Sequence, residues 1–116
     1  MSDWTSSTLI FVRDVDASIH AYVDLLGFTL NMRFEDEGVA LVAGVSRGDG
    51  CALLLTSQWP DKVGTAVIYT ALPQDELVAF RAMAERGGFD IGNGFWGKEI
   101  MILTDPDGNQ LWFPLS

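Results

Sequence analysis

The sequence has few of the residues that disulfide-bonded or metal-dependent proteins rely on, because its 116 residues include one cysteine and one histidine. A single Cys51 cannot form a disulfide within the chain, which fits a reducing compartment. No apolar run approaches the roughly 18 residues that a membrane-spanning helix needs. The first residues, Met1 to Trp4, lack the basic start and long apolar stretch of a signal peptide. We therefore expect a soluble, cytoplasmic protein with no membrane partner.

Basic residues are also scarce, with seven against sixteen acidic residues and a formal net charge of −9. Such a chain repels phosphate backbones, which argues against a nucleic-acid partner. A cationic ligand would be attracted, although acidity that serves only solubility is the simpler interpretation. Hydrophobic residues make up 48% of the chain, so a single domain spanning residues 1–116 can bury a substantial core.

The sequence does contain an internal repeat at half its length. Asp49-Gly50 precedes one short apolar run and Asp107-Gly108 precedes another, with an offset of 58 residues. Asp-Gly pairs form tight turns, and the apolar runs that follow are typical of strands. The same offset relates residues 7–12 to residues 65–70, which are strand-like and precede a helical pattern. The chain is therefore predicted to contain two like modules with a ligand site in the cleft between them.

Each module is predicted to follow the order strand, helix, strand, strand, strand. In the first module, apolar residues recur at helical spacing from Asp14 to a closing Gly27. In the second module, Gly87-Gly88 ends the helix, and residues 92–97 are predicted to be a glycine-rich loop. The expected fold class is α+β, with two βαβββ modules that share one core and span about residues 5–57 and 63–116.

Three motifs together resemble the vicinal oxygen chelate superfamily, which includes glyoxalase I, extradiol dioxygenases, fosfomycin resistance enzymes and bleomycin resistance proteins. The motifs are Val12-Arg13-Asp14 after the first strand, Tyr22…Leu26-Gly27-Phe28 at the helix end, and the closing Asp105-Pro106-Asp107-Gly108-Asn109. The resemblance covers nearly the whole chain. It implies a cup-shaped, eight-stranded mixed sheet flanked by helices, commonly completed across a homodimer.

Metal enzymes of this superfamily hold a divalent ion with four ligands, usually His or Glu, and the resemblance places these ligands at Ser7, Leu54, Thr65 and Trp112. Hydroxyl groups bind such ions far more weakly, and Leu and Trp side chains offer no ligand atom. We therefore expect no metal and no cofactor. The one histidine, His20, falls within the first helix and is predicted to be a surface or boundary residue rather than a ligand.

Side-chain alternation along the strands predicts which residues line the cup. Phe11 is in phase with Ser7 and Tyr69 is in phase with Thr65. The place of the metal is therefore predicted to be filled by apolar and aromatic groups, namely Phe11, Leu54, Tyr69 and Trp112. Trp96, in the predicted glycine-rich loop, is a further candidate for stacking on a planar ligand, with core or interface packing as the alternative for each tryptophan. Trp4 is assigned to an interface or to no role.

Two charged residues at strand ends are also candidates for the cup. Arg33 could bind an anionic group, and Glu99 could serve as a general base if it is buried. The function we expect is that of a homodimeric, metal-independent protein, similar to bleomycin resistance proteins, that binds an aromatic or cationic organic molecule without reacting with it. A lyase or isomerase that uses a carboxylate such as Glu99 is the alternative, and an unliganded structural or regulatory role is a third.

Overall fold

Two βαβββ modules make up the chain, as predicted, in a computed structural model that describes residues 5–115. The first module consists of β1 (Thr8–Phe11), α1 (Val15–Ile19) continued by a π-helical segment (His20–Leu25), β2 (Thr29–Asp36), β3 (Val39–Arg47) and β4 (Cys51–Thr56). A 3-10 turn (Pro60–Lys62) joins it to the second module, which consists of β5 (Val67–Tyr69), α2 (Gln74–Arg86), β6 (Asp90–Phe95), β7 (Glu99–Thr104) and β8 (Gln110–Pro114). The α+β fold class is confirmed.

The eight strands form two mixed sheets of four strands each. Their orders are β1-β4-β3-β2 and β5-β8-β7-β6, and we call them sheet A and sheet B. In each sheet the first strand of the module runs parallel to the last one, and the remaining pairs are antiparallel. Each sheet has one face against the helices. We call the other face the open face.

One hydrophobic core lies against the helix side of both sheets. Its fully buried members from sheet A include Ile10, Val45, Leu53 and Leu55, and those from sheet B include Met101, Leu103, Leu111 and Phe113. The two helical regions contact each other within this core, because a Cβ atom added at Gly87 would lie 3.2 Å from the Cβ of Leu25. Since both helix sides meet in one core, both open faces point away from that core.

A buried hydrogen-bond network, which we call the inter-module latch, joins the two modules. Asn109 is fully buried; its amide donates to the carbonyl oxygen of Phe11 at 3.1 Å and its Oδ1 accepts from the amide of Ala66 at 3.1 Å. The hydroxyl of Tyr22 donates to the buried carboxylate of Asp105 at 2.8 Å. The latch therefore connects the first helical region and β1 with the turn between β7 and β8.

The predicted glycine-rich loop at residues 92–97 is wrong, because most of it belongs to strand β6, which extends to Phe95. The reason is close packing between neighbouring strands. A Cβ atom added at Gly94 would lie 2.8 Å from Cδ1 of Ile102, so the absence of a side chain lets β6 approach β7 there. Only residues 96–98 form the turn, where Gly97 has a φ of 74° that favours glycine.

No helix in residues 5–115 is long and apolar enough to cross a membrane.

We predict that Tyr22→Phe lowers the free energy of unfolding by about 1.5 to 3 kcal/mol at pH 7, because a buried hydrogen bond to a carboxylate is lost. Burial, followed by the charge of Asp105, raises the pKa of Tyr22 well above its usual value of 10.0. The tyrosine therefore ionises in the unfolded chain before it ionises in the folded one, and wild-type stability falls as the pH rises above 10.

Urea unfolding at pH 7 and at pH values above 10 tests this prediction. The difference between wild type and Tyr22→Phe should narrow in alkali, because only the wild type loses the contribution of this tyrosine. Both proteins retain Tyr69, so its contribution cancels in the comparison. Equal stability at pH 7, or curves that stay parallel above pH 10, would show that the bond does not hold the modules together.

Candidate functional site

Three aromatic side chains form a contiguous cluster on the open face of sheet B, and we call it the aromatic cluster. Tyr69 and Trp112 are paired across β5 and β8. The ring of Trp96 lies 5.3 Å from that of Tyr69 and 5.9 Å from that of Trp112, both in edge-to-face geometry. Trp96 is 60% exposed and Tyr69 is 44% exposed. The cluster thus presents aromatic surface directly to solvent.

Local structure fixes the position of each member of the aromatic cluster. Trp96 begins the β6–β7 turn. Its backbone amide donates to the carbonyl oxygen of Lys98 at 2.9 Å, and this hydrogen bond closes the turn. The indole Nε1 of Trp112 donates to Oε1 of Gln110 on the same strand at 3.0 Å. Buried polar groups need a partner, and this bond supplies one for the half-buried Trp112.

A shallow space adjoins the aromatic cluster on the same face. The row of paired residues that runs across sheet B is Gly92, Ile102, Trp112 and Tyr69. A Cβ atom added at Gly92 would meet no atom within 4 Å, so the sheet is bare at that end of the row. The open face of sheet B therefore combines an aromatic wall, an aliphatic floor at Ile102 and an uncovered stretch of backbone.

The open face of sheet A is also apolar. Two rows cross it; the first contains Met32, Gly44, Leu54 and Leu9, and the second contains Phe34, Val42, Thr56 and Phe11. Met32 is 45% exposed and Phe34 is 55% exposed. The rings of Phe11 and Trp59 lie 6.1 Å apart, and the Lys62 ammonium lies 5.5 Å from the centre of the Phe11 ring.

The structure therefore divides the predicted cup residues between two surfaces. Tyr69, Trp96 and Trp112 are brought together on sheet B, whereas Phe11 and Leu54 lie on the open face of sheet A. Among residues 5–115, the recorded aromatic ring contacts do not link these two groups. Within one chain, the residues predicted to line a single cup therefore lie on two separate surfaces. Trp4, the remaining tryptophan, lies outside the described residues.

The placement of Arg33 in the cup is wrong, because its side chain lies on the helix side of sheet A. Arg33 is paired with the buried Ala43, and its Nε and Nη2 donate to the two carboxylate oxygens of Asp16, each at 2.9 Å. Its Nη1 donates to Glu35 at 2.7 Å. The hydrogen bond from Arg33 holds the pKa of Asp16 below its usual value. Two carboxylates therefore already occupy the guanidinium.

Glu99 also lies away from the aromatic cluster. It is exposed at the start of β7, in phase with the core residues Met101 and Leu103, whereas Ile102 is the β7 residue paired with Trp112. A general base needs to reach the ligand that it deprotonates. The carboxylate of Glu99 is thus on the other side of sheet B from Tyr69. Glu99 is also exposed, whereas the general-base role was predicted only for a buried carboxylate. His20 is on the surface as predicted, 2.8 Å from Asp24.

The four positions at which the superfamily holds a metal do not fit one in this chain. Leu54 and Trp112 are equivalent positions of the two modules and are 58 residues apart. The residues paired with them on the first strands, Leu9 and Tyr69, are 60 residues apart, because module one has two more residues between its first and last strands. The structural equivalent of Ser7 is therefore Val67, and the prediction of Thr65 was wrong. The Thr65 hydroxyl donates to Lys62 instead, at 2.7 Å. The Val67 side chain has no ligand atom either, so these four side chains still lack the carboxylate and imidazole groups that a divalent metal needs.

Within residues 5–115, no group of three or more His, Cys, Asp or Glu side chains is placed to hold a metal ion. No step that requires a metal is derived for this site.

Sequence reasoning missed part of the open face of sheet A. Met32 and Phe34 belong to a strand whose apolar and polar residues alternate, and alternation of this kind normally marks a half-buried strand. Here the apolar side is the exposed one, because Arg33 on the other side forms ion pairs with Asp16 and Glu35. The alternating pattern was the signal, but it does not say which face is buried within the chain.

Comparison with known proteins identifies the family. Residues 4–113 match the family model of the Glyoxalase/Bleomycin resistance protein/Dioxygenase superfamily. No curated protein matches the chain.

Solved structures with the same fold include proteins that bind antibiotics. A glyoxalase/bleomycin resistance protein from Streptomyces sp. CB03234 is 22% identical, with a TM-score of 0.73, over 94% of this chain and 99% of that one. TnmS3, an antibiotic binding protein from the same organism, is 20% identical, with a TM-score of 0.74, over 98% of both chains. The bleomycin-binding protein of Streptomyces verticillus, solved with copper(II)-bleomycin, is 21% identical, with a TM-score of 0.69, over 100% of this chain and 99% of that one.

The likeness to these structures concerns the fold, and the family model covers nearly the whole sequence. The two βαβββ modules, their inter-module latch and this match lead to one conclusion: the chain belongs to the Glyoxalase/Bleomycin resistance protein/Dioxygenase superfamily.

Proposed function

We propose that this protein binds a small organic molecule with an aromatic or cationic group on the aromatic cluster and does no chemistry on it. The observation that carries the proposal is the exposed, contiguous surface of Tyr69, Trp96 and Trp112. An exposed apolar patch on a water-soluble surface is a mark of a binding site. Edge-to-face rings with a bare sheet beside them suit a planar ligand, which gains stacking energy as well as buried area.

The chemistry around the aromatic cluster supports binding rather than catalysis. The residues that share its row are glycine and isoleucine, and Trp112 hydrogen-bonds to the neutral Gln110. Acid–base catalysis needs a titratable group within hydrogen-bond reach of the ligand, and within the aromatic cluster the Tyr69 phenol is the one such group, with no carboxylate or imidazole beside it in the cluster. The net charge of −9 favours neutral or cationic ligands over anions.

The complete site is proposed to form between two copies of the chain. Each chain exposes an apolar surface on sheet A, with Met32 and Phe34, and an aromatic surface on sheet B. A two-fold dimer can set the open face of sheet A against the open face of sheet B of its partner, twice over. Both faces would then be covered, and the predicted cup of Phe11, Leu54, Tyr69 and Trp112 would be assembled from two chains.

Relatives of the same fold give this proposal its ligand class. One is described as an antibiotic binding protein and another was solved with copper(II)-bleomycin. A large planar or cationic antibiotic would match both the rings and the acidity of the present chain. We propose ligands of that class for this protein.

We predict that no divalent metal binds stoichiometrically at the superfamily position, because the residues there are Ser7, Leu54, Val67 and Trp112. Elemental analysis of protein purified without chelator, before and after incubation with Zn²⁺ or Mn²⁺ and desalting, measures this. One equivalent of bound metal per chain would contradict the proposed metal-independent site.

We predict a homodimer whose interface uses the open faces. Sedimentation at micromolar concentration should report twice 12.7 kDa. Met32→Lys should shift the protein towards monomer, because a charge would be buried in an apolar interface. Val78→Lys is the matched control, since Val78 is 66% exposed but lies on α2. A wild-type monomer, or a Val78→Lys variant that dissociates as readily as Met32→Lys, would argue against this assembly.

We predict that Trp112→Phe weakens ligand binding while it lowers the free energy of unfolding by only about 1 to 2 kcal/mol. A thermal-shift panel of planar and cationic compounds that includes bleomycin would supply the ligand, since about 100 times the Kd adds roughly 2.7 kcal/mol of stability. Variants that retain only Trp112 or only Trp96 should show quenched or shifted fluorescence on binding. A ligand that binds without changing either indole would place its site elsewhere.

A further inference from the structure

A cavity lies where the two modules meet, and Tyr69 is the one residue of the aromatic cluster at its edge. We call it the inter-module cleft; its main part has a volume of about 420 Å³, and a deeper part has a volume of about 60 Å³. Both parts are lined by Arg47 at the end of β3, Cys51 at the start of β4, Thr70 after β5 and Glu76 in the first turn of α2. The residues of the aromatic cluster other than Tyr69 do not line it.

The floor of the inter-module cleft is apolar. The deeper part is closed by Phe28, Leu72, Phe80, Leu111 and Phe113; Leu72 packs against the hydrophobic core and the other four side chains belong to it. Burial raises the pKa of the Cys51 thiol, so the thiol is neutral at physiological pH. A pocket of this kind suits a small aliphatic group rather than a second charged group.

The rim of the cleft contains an arginine with unused hydrogen-bonding capacity. The guanidinium of Arg47 lies over the Phe80 ring, with Cζ 5.2 Å from the ring centre. Its Nε is buried and has no hydrogen-bond partner within the described part of the chain, and no ion pair of Arg47 occurs there. The enclosed Nε is out of reach of a ligand, so a ligand would bind the part of the guanidinium that lines the cleft, and a carboxylate is the group that an arginine binds best.

Two further features at the rim fix the charge pattern of a ligand. Helix α2 begins at Pro73 without a side-chain cap, so its first backbone amides favour a negative group beside Arg47. Glu76 and Asp49 lie at the same rim and favour a positive group. Glu76 and Arg47 line the same cleft without forming an ion pair within 4.0 Å in residues 5–115, so both charges remain available.

We infer that the inter-module cleft binds a small zwitterion with an apolar tail, the chemistry of a hydrophobic α-amino acid. Arg47 and the start of α2 take the carboxylate, Glu76 takes the ammonium, and the deeper part above Phe80 takes the aliphatic side chain. A simple anion would meet the carboxylates of Asp49 and Glu76, and a simple cation would leave Arg47 unsatisfied. This site shares only Tyr69 with the aromatic cluster and does not depend on the function proposed for that cluster.

Three matched compounds test the inference by ¹H–¹⁵N correlation spectroscopy of the full-length protein. They are L-leucine, 4-methylpentanoate, which lacks the ammonium, and 3-methylbutylamine, which lacks the carboxylate. L-leucine at millimolar concentration should shift the amides of Gly48, Gly50 and Thr70 saturably, and it should bind about tenfold or more tightly than either fragment. The absence of saturable shifts at these amides with L-leucine would overturn the inference.

Two variants assign the charges. Arg47→Met should weaken binding of L-leucine and 4-methylpentanoate by about tenfold or more and leave 3-methylbutylamine unchanged, and Glu76→Gln should weaken L-leucine and 3-methylbutylamine but spare 4-methylpentanoate. Arg86→Met, at the other end of α2, is the control and should bind all three as the wild type does. Wild-type affinities in both rim variants would refute the charge assignment.

Folding and the aromatic site are monitored in the same spectra. Arg47→Met removes a guanidinium that lies over Phe80, so the chemical-shift dispersion of the variant's spectrum must match that of the wild type. If it does not, Glu76→Gln, a substitution at an exposed position, provides the test. The indole signals of Trp96 and Trp112 should not respond to L-leucine. Their response to a planar ligand is measured independently, so failure of one site leaves the other unaffected.

Discussion

The inter-module latch is the constraint on which the rest of this structure depends. Asn109 is fully buried and makes hydrogen bonds to backbone groups that belong to both modules, at Phe11 and at Ala66. The Asp105 carboxylate accepts from the backbone amides of Asp107 and Asn109, each at 2.9 Å, and so shapes the turn that presents Asn109. Without these bonds, several polar groups would be left unpaired in the centre of the molecule, which costs far more than an exposed bond.

The latch sets the orientation of both sheets and therefore decides where binding surface is available. Because the helix sides of both sheets share one core, the helices of the chain do not cover either open face. The packing at Gly64 reinforces this arrangement, since a side chain there would collide with the carbonyl oxygen of Asp107. The same packing creates a second kind of surface, the inter-module cleft, where β4, β5 and α2 converge. One structural constraint thus produces two chemically different sites.

Much of the fold could be predicted because local motifs and alternation are strong signals. The turn motif ending in Asn109 and the apolar runs at residues 53–55 and 111–113 identify strands that the structure confirms. The assignment of Gly92 and Gly94 to a loop is wrong because glycine commonly marks turns, whereas both residues lie in β6 and Gly94 lets that strand approach Ile102. That contact joins residues on different strands and is not visible in a short window of sequence.

The candidate site was harder to predict for related reasons. Alternation correctly placed Tyr69 and Trp112 on one face, because a strand repeats every two residues. It did not reveal that Phe11 and Leu54 lie on the other sheet's outer surface, since that depends on how two modules pack. Arg33 pairs with Asp16, which is 17 residues away in another element. The cleft is assembled from Arg47, Thr70 and Glu76 of separate elements, and no spacing in the sequence indicates it.

The division of apolar surface between sheet A and sheet B has a genetic consequence. In the proposed dimer each cup combines one face from each subunit, so a defect on sheet A and a defect on sheet B affect different halves of a cup. A mixed dimer of one chain altered at Leu54 and another altered at Trp112 would contain one cup with both defects and one cup with none. Two inactive alleles of this gene would then complement each other, and half of the sites in each mixed dimer would recover wild-type affinity.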